Sequence, residues 1–322
     1  MKAIVQHGYG GVDVLEFSDV ERPRVGPEEV LVRVQAAGVD RGTWHLMTGL
    51  PYLVRLMFGL RRPKNPVPGL DVAGVVEAVG EQVTRFTPGD EVFGIAAGSF
   101  AEYARAREDE LATKPAGLGF PEAATVGVSG LAALQAVRDH GRVRPGQRVL
   151  VLGASGGVGS FAVQLAKAHG AHVTGVCSTA KTDLVAGLGA DEVLDYTRDD
   201  VTDGRRRFDV VLDIGGNRSL QALRRALTPT GRLVIVGGEG GGKVIGGVDR
   251  QLRAMLLSPF VRQKLGTFVS SENARDLEVL ADLIRSGRLS PAVDSTYALA
   301  DARAAVERLS AGHARGKLAL TV

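Results

Sequence analysis

Cysteine is almost absent from this chain, since Cys177 is the only one among 322 residues. A lone cysteine forms no disulfide within the chain, and a thiolate-rich zinc site needs several cysteines. The scarcity therefore excludes a disulfide-stabilised secreted domain and a cysteine-based zinc lobe. It is typical of a protein in a reducing compartment, and we expect the cytoplasm.

Long apolar runs are also absent, so the sequence predicts no membrane-spanning helix. The first ten residues (MKAIVQHGYG) indicate a strand and lack the apolar core of a signal peptide. The net charge of +3 is small for this length, so composition gives no reason to expect a nucleic-acid or membrane partner. The remaining composition, 44% hydrophobic and 23% charged, is ordinary for a globular protein, and the length suggests about two domains.

Residues 1–110 carry short runs with strand propensity, separated by turns rich in glycine and proline. We therefore expect a compact, partly open barrel rather than an array of strand–helix–strand units. The predicted strands are 3–6, 30–34, 74–79, 91–95 and 101–104.

Residues 41–68 break this pattern with an apolar stretch that glycines and prolines interrupt. The stretch is too short and too interrupted to span a membrane. Two interpretations stay open: a wall or lid of a substrate pocket, or a buried helix and loop that pack on the barrel.

The most informative stretch runs from Arg148 to Cys177. An apolar run, a glycine turn (GASGGVG, 153–159), a helical pattern and a second apolar run follow within the roughly 30 residues of a dinucleotide-binding unit. Gly156 and Gly157 would let the chain turn sharply and approach a pyrophosphate, and Gly159 would let the helix lie close to the strand. Amide groups at the helix start, with the positive end of its dipole, would hold the phosphate charge. The predicted contacts are Ser155, Gly156, Gly157 and Val158.

Strand and helix patterns alternate beyond this unit, which predicts a parallel, doubly wound α/β sheet. A helix over 121–137 leads into it, and a strand over 264–269 and a helix over 273–286 follow it. From residue 289 the pattern returns to strands. We therefore expect a dinucleotide-binding domain (121–288) that interrupts a substrate domain made of 1–120 and 289–322.

Six motifs spread over the chain resemble the medium-chain dehydrogenase/reductase superfamily, in its zinc-free quinone oxidoreductase (zeta-crystallin-like) branch. They are 37–40 (AGVD), 68–74 (PGLDVAG), 88–94 (PGDEVFG), 153–159 (GASGGVG), 188–191 (LGAD) and 316–317 (GK). Residues 171–178 (AHVTGVCS) and 312–317 (GHARGK) are especially similar to the reticulon-interacting mitochondrial NADPH oxidoreductases. The resemblance implies a Rossmann domain inserted in a GroES-like, mainly β substrate domain.

The resemblance also implies that the chain binds no metal. Zinc-dependent members place cysteine and histidine ligands where this chain has Asp40 and Leu70, and the cysteine lobe of those members is missing. Quinone reductases usually carry asparagine at the position of Asp40, and commonly aspartate near Thr43, so the chain departs from its own branch there.

The turn after the second strand of the dinucleotide unit indicates which cofactor binds. NAD enzymes place an acidic side chain there, about 20 residues past the glycines, to bind the ribose hydroxyls. Residues 177–181 (CSTAK) contain no carboxylate. Ser178 can donate a hydrogen bond and Lys181 supplies a positive charge. We therefore expect NADPH rather than NADH.

Family membership implies further cofactor contacts. Tyr196 matches a tyrosine that reaches the 2′-phosphate. The positions that line the nicotinamide are Gly215, Val236 and Gly237. The positions that contact cofactor in the reticulon-interacting relatives are Phe268, His313, Ala314 and Arg315.

The reaction implied by the resemblance is hydride transfer from NADPH to a small-molecule quinone or α,β-unsaturated carbonyl. Such acceptors spread the developing charge over a conjugated system, so hydrogen bonds can suffice without a metal. The candidate catalytic residues are Asp40, to orient the nicotinamide ribose, and Tyr52 or His45, to donate a hydrogen bond or a proton to the carbonyl. Alternatives are water as the proton source, a biosynthetic enoyl reductase, and a catalytically weak NADPH-binding redox sensor.

Members of the family pair the edges of their nucleotide sheets. The predicted strand at 264–269 is a candidate edge strand, so we expect a homodimer.

Overall fold

The computed structural model describes residues 1–238 and 242–322. Contacts within the chain divide it into two units, Met1–Leu131 with Ser271–Val322, and Ala132–Ser270. The strands are β1 (Lys2–Val5), β2 (Glu16–Asp19), β3 (Glu29–Val39), β4 (Asp71–Val79), β5 (Glu91–Ile95), β6 (Tyr103–Arg107), β7 (Leu111–Thr113), β8 (Arg148–Leu152), β9 (His172–Cys177), β10 (Glu192–Asp195), β11 (Phe208–Asp213), β12 (Leu227–Ile235), β13 (Lys264–Thr267), β14 (Val293–Ala298) and β15 (Lys317–Thr321). The α-helices are α1 (Arg41–Thr48), α2 (Arg55–Phe58), α3 (Phe120–Ala123), α4 (Gly127–Gln135), α5 (Gly157–Ala168), α6 (Thr182–Gly187), α7 (Leu220–Arg225), α8 (Val248–Leu257), α9 (Ala274–Arg285) and α10 (Ala302–Ser310).

The first unit is built on a seven-stranded sheet in the order β14-β15-β3-β4-β5-β7, with β6 paired to β3. The only parallel pair in it among the described residues is β14 with β15. The long strand β3 is central because it pairs with β4, β6 and β15. Its buried side chains join a core that includes Val32, Phe100 and Leu318. The C-terminal strand therefore completes a sheet that begins near the N-terminus, as the sequence pattern predicted.

The second unit has a six-stranded, fully parallel sheet in the order β10-β9-β8-β11-β12-β13. Its central strands are buried along almost their whole length, as in sheets that helices cover on both faces. This confirms the predicted doubly wound sheet. The strand order reverses between β8 and β11, and ligands of such sheets bind outside the carboxyl ends of the strands at the reversal.

Two helices differ from their prediction. The single helix expected over 121–137 is broken into α3 and α4, and a π-helical turn continues α4 from Ala136 to His140. The helix α9 was expected in the dinucleotide domain but packs against β7 in the first unit. Its periodic apolar face showed that it packs on something, but periodicity does not identify the sheet that it packs on. The borders expected at 120/121 and 288/289 thus differ from those of the two units.

The apolar stretch at 41–68 has two halves with opposite burial. Helix α1 packs onto the first unit's core, with Met47 buried and Trp44 partly buried against it. The second half exposes its large apolar side chains, which are Tyr52, Leu53, Leu56, Met57, Phe58 and Leu60. A wholly buried helix and loop is therefore wrong for this stretch. No helix among the described residues is both long and apolar enough to cross a bilayer.

Candidate cofactor and active site

The turn between β8 and α5 has the close packing that its glycines predicted, with one difference. The left-handed backbone lies at Gly153 (φ +82°), whereas Gly156 has a φ of −87°. The sharp turn that we expected at Gly156 and Gly157 is therefore made at Gly153. A Cβ on Gly159 would lie 2.0 Å from the carbonyl oxygen of Gly153, so glycine is needed for the helix to approach the turn this closely.

Gly156 is the N-cap residue of α5, and the space beside it is open. A Cβ built there would meet only one described atom within 4 Å, the carbonyl oxygen of Gly153 at 3.4 Å. As a glycine, it has no side chain to accept hydrogen bonds from the first amide groups of the helix. Open backbone, uncapped amide groups and the positive end of the helix dipole together fit a bound phosphate.

Gly215, Val236 and Gly237 lie at the same edge of the sheet as this turn. The amide groups of Ile214 and Gly215 both donate to the carbonyl oxygen of Leu152, each over 3.1 Å. A Cβ on Gly237 would lie 2.0 Å from the carbonyl oxygen of Ile214. The structure therefore brings these three predicted nicotinamide contacts to the carboxyl ends of β11 and β12, beside the end of β8.

The residues predicted to select the cofactor follow two adjacent strands. Ser178 comes directly after β9, and its carbonyl oxygen accepts from the amide of Lys181 over 2.9 Å in a 3₁₀ turn. Tyr196 comes directly after β10, which pairs with β9, and 54% of its surface is exposed. Ser178, Lys181 and Tyr196 thus lie on neighbouring turns at the carboxyl edge.

Asp195, which the sequence analysis did not single out, organises these two turns. Its carboxylate accepts from the hydroxyl of Thr179, and from the hydroxyl (2.7 Å) and amide (2.9 Å) of Thr197. The hydroxyls of Thr179 and Thr197 hold the pKa of Asp195 below its usual value. An ionised carboxylate therefore lies beside the turns that carry Ser178, Lys181 and Tyr196. It belongs to β10, and both of its oxygens accept hydrogen bonds from threonines.

A buried ion pair lies at the same edge of the sheet. Asp213, the last residue of β11, is fully buried, and Arg250 of α8 lies 2.5 Å from its carboxylate. The same guanidinium donates to the carbonyl oxygens of Arg218 (2.8 Å) and Gly237 (3.0 Å). Burial raises the pKa of Asp213 against the attraction of Arg250. Arg250 thus links the loop at Gly237 to the end of β11.

The other predicted cofactor contacts belong to different units. Phe268 follows β13 in the second unit, and its ring stacks on His140 with the centroids 4.2 Å apart. In the first unit, His313 is exposed, Ala314 lies in the core and Arg315 is half-buried, all shortly before β15. Their contact with a cofactor stays a prediction.

Asp40 begins α1 and leaves polar atoms unsatisfied. Its Oδ1 accepts from the amide of Thr43 over 2.8 Å, which caps the helix. Its Oδ2 and the hydroxyl of Thr43 are buried without a hydrogen-bond partner among the described residues. Buried polar groups are nearly always paired, so this turn fits the polar group of a ligand.

His45 and Tyr52 differ in what they can donate. Nδ1 of His45 lies 2.7 Å from the carbonyl oxygen of Leu50. A carbonyl oxygen only accepts, so Nδ1 donates to it and is engaged within the protein. Tyr52 is 45% exposed, and its ring lies 4.6 Å from the guanidinium of Arg55. The geometry therefore favours the exposed hydroxyl of Tyr52 over the engaged Nδ1 of His45 as a donor.

A second buried ion pair joins β4 to β15. Nζ of Lys317 lies 2.9 Å from Oδ2 of Asp71 and 3.1 Å from Oγ of Ser129. The other oxygen of Asp71 accepts from the amide of Val128 over 2.6 Å, at the start of α4. Burial outweighs the attraction of the lysine and raises the pKa of Asp71 to about 6.

The donor set does not fit the zinc centre of metal-dependent relatives. Leu70 has no donor atom, and Cys177 is buried, which raises the pKa of its thiol to about 11. Within 1–238 and 242–322, no group of three or more His, Cys, Asp or Glu side chains is arranged to hold a metal ion.

Comparison with known proteins identifies the family. Residues 26–116 match the model of the alcohol dehydrogenase GroES-like domain, and residues 188–320 that of a zinc-binding dehydrogenase. The chloroplastic quinone-oxidoreductase QR1 of Triphysaria versicolor is 31% identical over 99% of this chain and 97% of that protein. This chain belongs to the quinone oxidoreductase branch of the medium-chain dehydrogenase/reductase superfamily.

Other members of the superfamily are similar over the same length. The mitochondrial NAD(P)H oxidoreductase RTN4IP1 of Mus musculus is 32% identical over 100% of this chain and 89% of that protein. A chloroplastic NADPH-dependent alkenal/one oxidoreductase of Arabidopsis thaliana is 33% identical over 99% of this chain and 78% of that protein. A mycobacterial protein solved in complex with NADPH has a TM-score of 0.85 and 28% identity, covering 100% of both chains. The predicted combination of a GroES-like domain with a Rossmann sheet is thus confirmed.

Three groups near these sites escaped the sequence analysis: Asp195 with its threonines, Asp213 with Arg250, and Asp71 with Lys317. A lysine in an apolar strand is a usable signal, because a buried ammonium needs a partner. The partner itself lies 246 residues away. The role of Arg250 could not be predicted from the sequence, because the helix α8 that contains it was not predicted.

Proposed function

We propose that this member of the quinone oxidoreductase family is an NADPH-dependent enzyme that reduces quinones or α,β-unsaturated carbonyls. The observation that carries the proposal is the open glycine turn at the reversal of the parallel sheet, followed at β9 by Ser178 and Lys181. The relatives that are called quinone oxidoreductase and NADPH-dependent alkenal/one oxidoreductase support the acceptor class. The NADPH complex of the mycobacterial neighbour supports the cofactor.

The residues that would hold the cofactor follow from the edge of the sheet. The pyrophosphate would lie on the turn and the helix start, at Ser155, Gly156, Gly157 and Val158. The 2′-phosphate would meet Ser178, Lys181 and Tyr196, and the nicotinamide would lie along Gly215, Val236 and Gly237. Family resemblance adds Phe268, His313, Ala314 and Arg315.

NADPH supplies a hydride when it is bound. The task left to the protein is to orient the acceptor and to stabilise the charge on its carbonyl oxygen. We assign the donor role to the hydroxyl of Tyr52, because Nδ1 of His45 is already engaged with Leu50. The free Oδ2 of Asp40 is an acceptor suited to a ribose hydroxyl, which would satisfy its buried lone pairs.

We also propose that the enzyme works without zinc, because Leu70 replaces a ligand and conjugated acceptors need no Lewis acid. Elemental analysis of the purified protein should then find no stoichiometric zinc, and a chelator should leave turnover unchanged. Stoichiometric zinc that is required for activity would contradict this.

The proposed assembly is a homodimer in the cytoplasm. Strand β13 is the last strand of the parallel sheet, so a second copy would pair along its outer edge, where the amide of Leu265 now donates to the hydroxyl of Ser258. The single buried cysteine fits a reducing compartment. Sedimentation analysis should give twice the mass of the chain, and the mass of one chain would contradict this assembly.

The deciding experiment is NADPH consumption with a panel of quinones, enals, enoyl thioesters and simple ketones. We expect turnover with quinones or enones and a lower KM for NADPH than for NADH. Preference for enoyl thioesters would indicate a biosynthetic reductase, and tight NADPH binding without turnover would indicate a redox sensor. Tyr52→Phe should lower kcat, with His45→Ala as the comparison; full turnover in both would leave water as the proton source.

A further inference from the structure

The second half of the stretch at 41–68 presents an unusual surface. Leu56, Met57 and Leu60 are 65%, 70% and 68% exposed, and Leu53 and Phe58 are exposed beside them. Large apolar side chains exposed singly are normal, but a contiguous group of them marks a contact with something else. We call residues 53–64 the basic apolar segment.

Specific contacts hold the backbone of this segment in place. The hydroxyl of Tyr9 donates to the carbonyl oxygen of Gly59 over 2.6 Å, and Nε of Arg55 donates to that of Gly49 over 3.0 Å. The guanidinium of Arg55 also lies 4.5 Å from the ring of Tyr9. A Cβ on Gly59 would lie 2.1 Å from the carbonyl oxygen of Arg62, so the turn is closely packed. The exposed side chains therefore stand on a defined backbone.

The charge of the segment has one sign. Between Asp40 and Asp71 the sequence has no acidic residue, while the basic residues there are Arg41, Arg55, Arg61, Arg62 and Lys64. Arg61, Arg62 and Lys64 are exposed, directly after the apolar side chains. The net charge of +3 for the whole chain hides this local excess, because acidic residues elsewhere offset it.

A cleft adjoins these cations. It has a volume of about 480 Å³ and is lined by Gln6, His7, Arg62, Pro63, Lys64 and Pro66. Gln6 is only 3% exposed, and its Oε1 has no hydrogen-bond partner among the described residues. Two cations attract an anion, and the unpaired oxygen accepts from a hydroxyl. A phosphate that carries a polyol fits this set of groups.

We propose that the basic apolar segment is a docking surface for an anionic phospholipid bilayer. The apolar side chains enter the boundary between headgroups and acyl chains, the exposed cations meet lipid phosphates, and the cleft receives one headgroup. Exposed Leu, Met and Phe beside Lys and Arg is the pattern of protein segments that lie in the membrane interface. Each Lys or Arg near such a surface adds attraction that salt screens.

A bilayer suits this surface better than a protein partner. Its apolar side chains are mostly flexible Leu and Met. The charges beside them are all positive, and this positive charge complements the repeated negative charge of an anionic bilayer. The docking is peripheral, because α2 has only four residues. A protein partner or the substrate itself remain as outcomes of the test.

The test is flotation of the purified chain with vesicles, without NADPH or substrate, so its result does not depend on the proposed reaction. We expect binding to vesicles that mix phosphatidylcholine with phosphatidylglycerol, and little binding to phosphatidylcholine alone. Raising the salt concentration should release the protein. Arg61→Gln with Arg62→Gln should weaken binding by about tenfold or more.

Two further variants separate the apolar contribution from a general effect. Leu56→Ser with Met57→Ser should weaken vesicle binding, whereas Leu252→Ser with Met255→Ser on α8 should not, although both of these residues are 53% exposed. Fluorescence of Trp44, the single tryptophan, checks that each variant is folded. Turnover of a water-soluble quinone serves as a second readout.

Three results would overturn the proposal. The first is absence of binding to either vesicle, and the second is equal binding to both with no effect of the arginine variant. The third is a raised KM for the water-soluble quinone in the Leu56 and Met57 variant with unchanged vesicle binding, which would assign the surface to substrate.

Discussion

Among residues 1–238 and 242–322, each unit contains one ion pair in which both side chains are largely buried, and the two pairs are built differently. Lys317 and Asp71 are 2% and 0% exposed, and the lysine has a second partner in Ser129. Arg250 retains 11% exposure against 1% for Asp213, and its Nε is buried without a partner among the described residues. The first pair is enclosed and satisfied, whereas the second is incomplete.

The difference indicates what each pair does. The Asp71 pair joins β4, β15 and the start of α4, none of which carries a predicted cofactor contact, so its role is to hold the first unit together. The Arg250 pair connects the end of β11 to the carbonyl oxygen of Gly237, beside the predicted nicotinamide contacts. We therefore expect loss of the first pair to affect stability and loss of the second to affect cofactor binding.

The largest expected effect is that of Lys317→Met. The change leaves the Asp71 carboxylate fully buried without its cation, and breaking such a pair costs about 3–5 kcal/mol. The measurement is urea unfolding at neutral pH, followed by the fluorescence of Trp44, which packs on the core of the same unit. Asp71→Asn combined with Lys317→Met removes both charges and should recover part of the loss. A loss below about 1 kcal/mol in the single variant would contradict the enclosed pair.

The pH dependence of the same pair tests the balance between burial and attraction. Burial raises the pKa of Asp71 to about 6, above its usual 3.8 in an unfolded chain. Between these values the folded state keeps a proton that the unfolded chain releases, so the contribution of Asp71 to stability falls as pH rises, by at most about 3 kcal/mol.

The measurement is the difference in unfolding free energy between the native chain and Asp71→Asn, from about pH 4 to pH 7. The difference removes contributions shared by both proteins, including that of Glu110, whose pKa burial also raises. We expect the advantage of the native chain to shrink as pH rises. If it grows instead, the attraction of Lys317 exceeds the cost of burial.

Arg250→Met should have a smaller effect on stability and a clear one on cofactor binding. Asp213 loses a charged hydrogen bond but keeps that of the Gly216 amide, so we expect a loss of about 1.5–3 kcal/mol. The affinity for NADPH should fall because the carbonyl oxygen of Gly237 loses its hydrogen bond from Arg250, which leaves only the bond from the Gly237 amide to the carbonyl oxygen of Asp213. Titration with NADPH measures this. Arg253→Met is the matched control, since Arg253 is 76% exposed and its one ion pair in the described part of the chain is with Asp249, over 3.6 Å.

The same contrast separates what the sequence predicts from what it does not. The turn from Gly153 to Gly159 and the strands beside it are local, so glycine spacing and apolar runs predicted the strand–turn–helix and the parallel sheet. Asp71 and Lys317 are far apart in the sequence, and no local pattern connects them. Their motifs were recognisable, but the contact between them depends on the pairing of β15 with β3 and of β3 with β4.

The stretch at 41–68 shows a second limit. Apolar residues at helical spacing predict that one face is covered, but they do not say by what. Met47 is covered by the core, whereas Met57 is 70% exposed. Two predicted catalytic residues, His45 and Tyr52, fall in this stretch, and Asp40 directly precedes it. The catalytic assignment therefore depends more on the structure than the cofactor assignment does.

The smallest expected effect concerns a third carboxylate, Asp195, whose side chain is 11% exposed and is held by hydroxyl groups rather than by a buried cation. Thr179→Val removes one of these hydroxyls and loosens the turn that carries Ser178 and Lys181. A hydrogen bond to an ionised carboxylate contributes about 1.5–3 kcal/mol. Only the part of it that holds Ser178 and Lys181 in place is lost from cofactor binding, so we expect the Kd for NADPH to rise roughly threefold to tenfold. The Kd for NADH should change less, because NADH has no 2′-phosphate. An equal loss of affinity for both cofactors would assign Thr179 a structural role only. An unchanged Kd for NADPH would show that the turn with Ser178 and Lys181 is not part of the cofactor site.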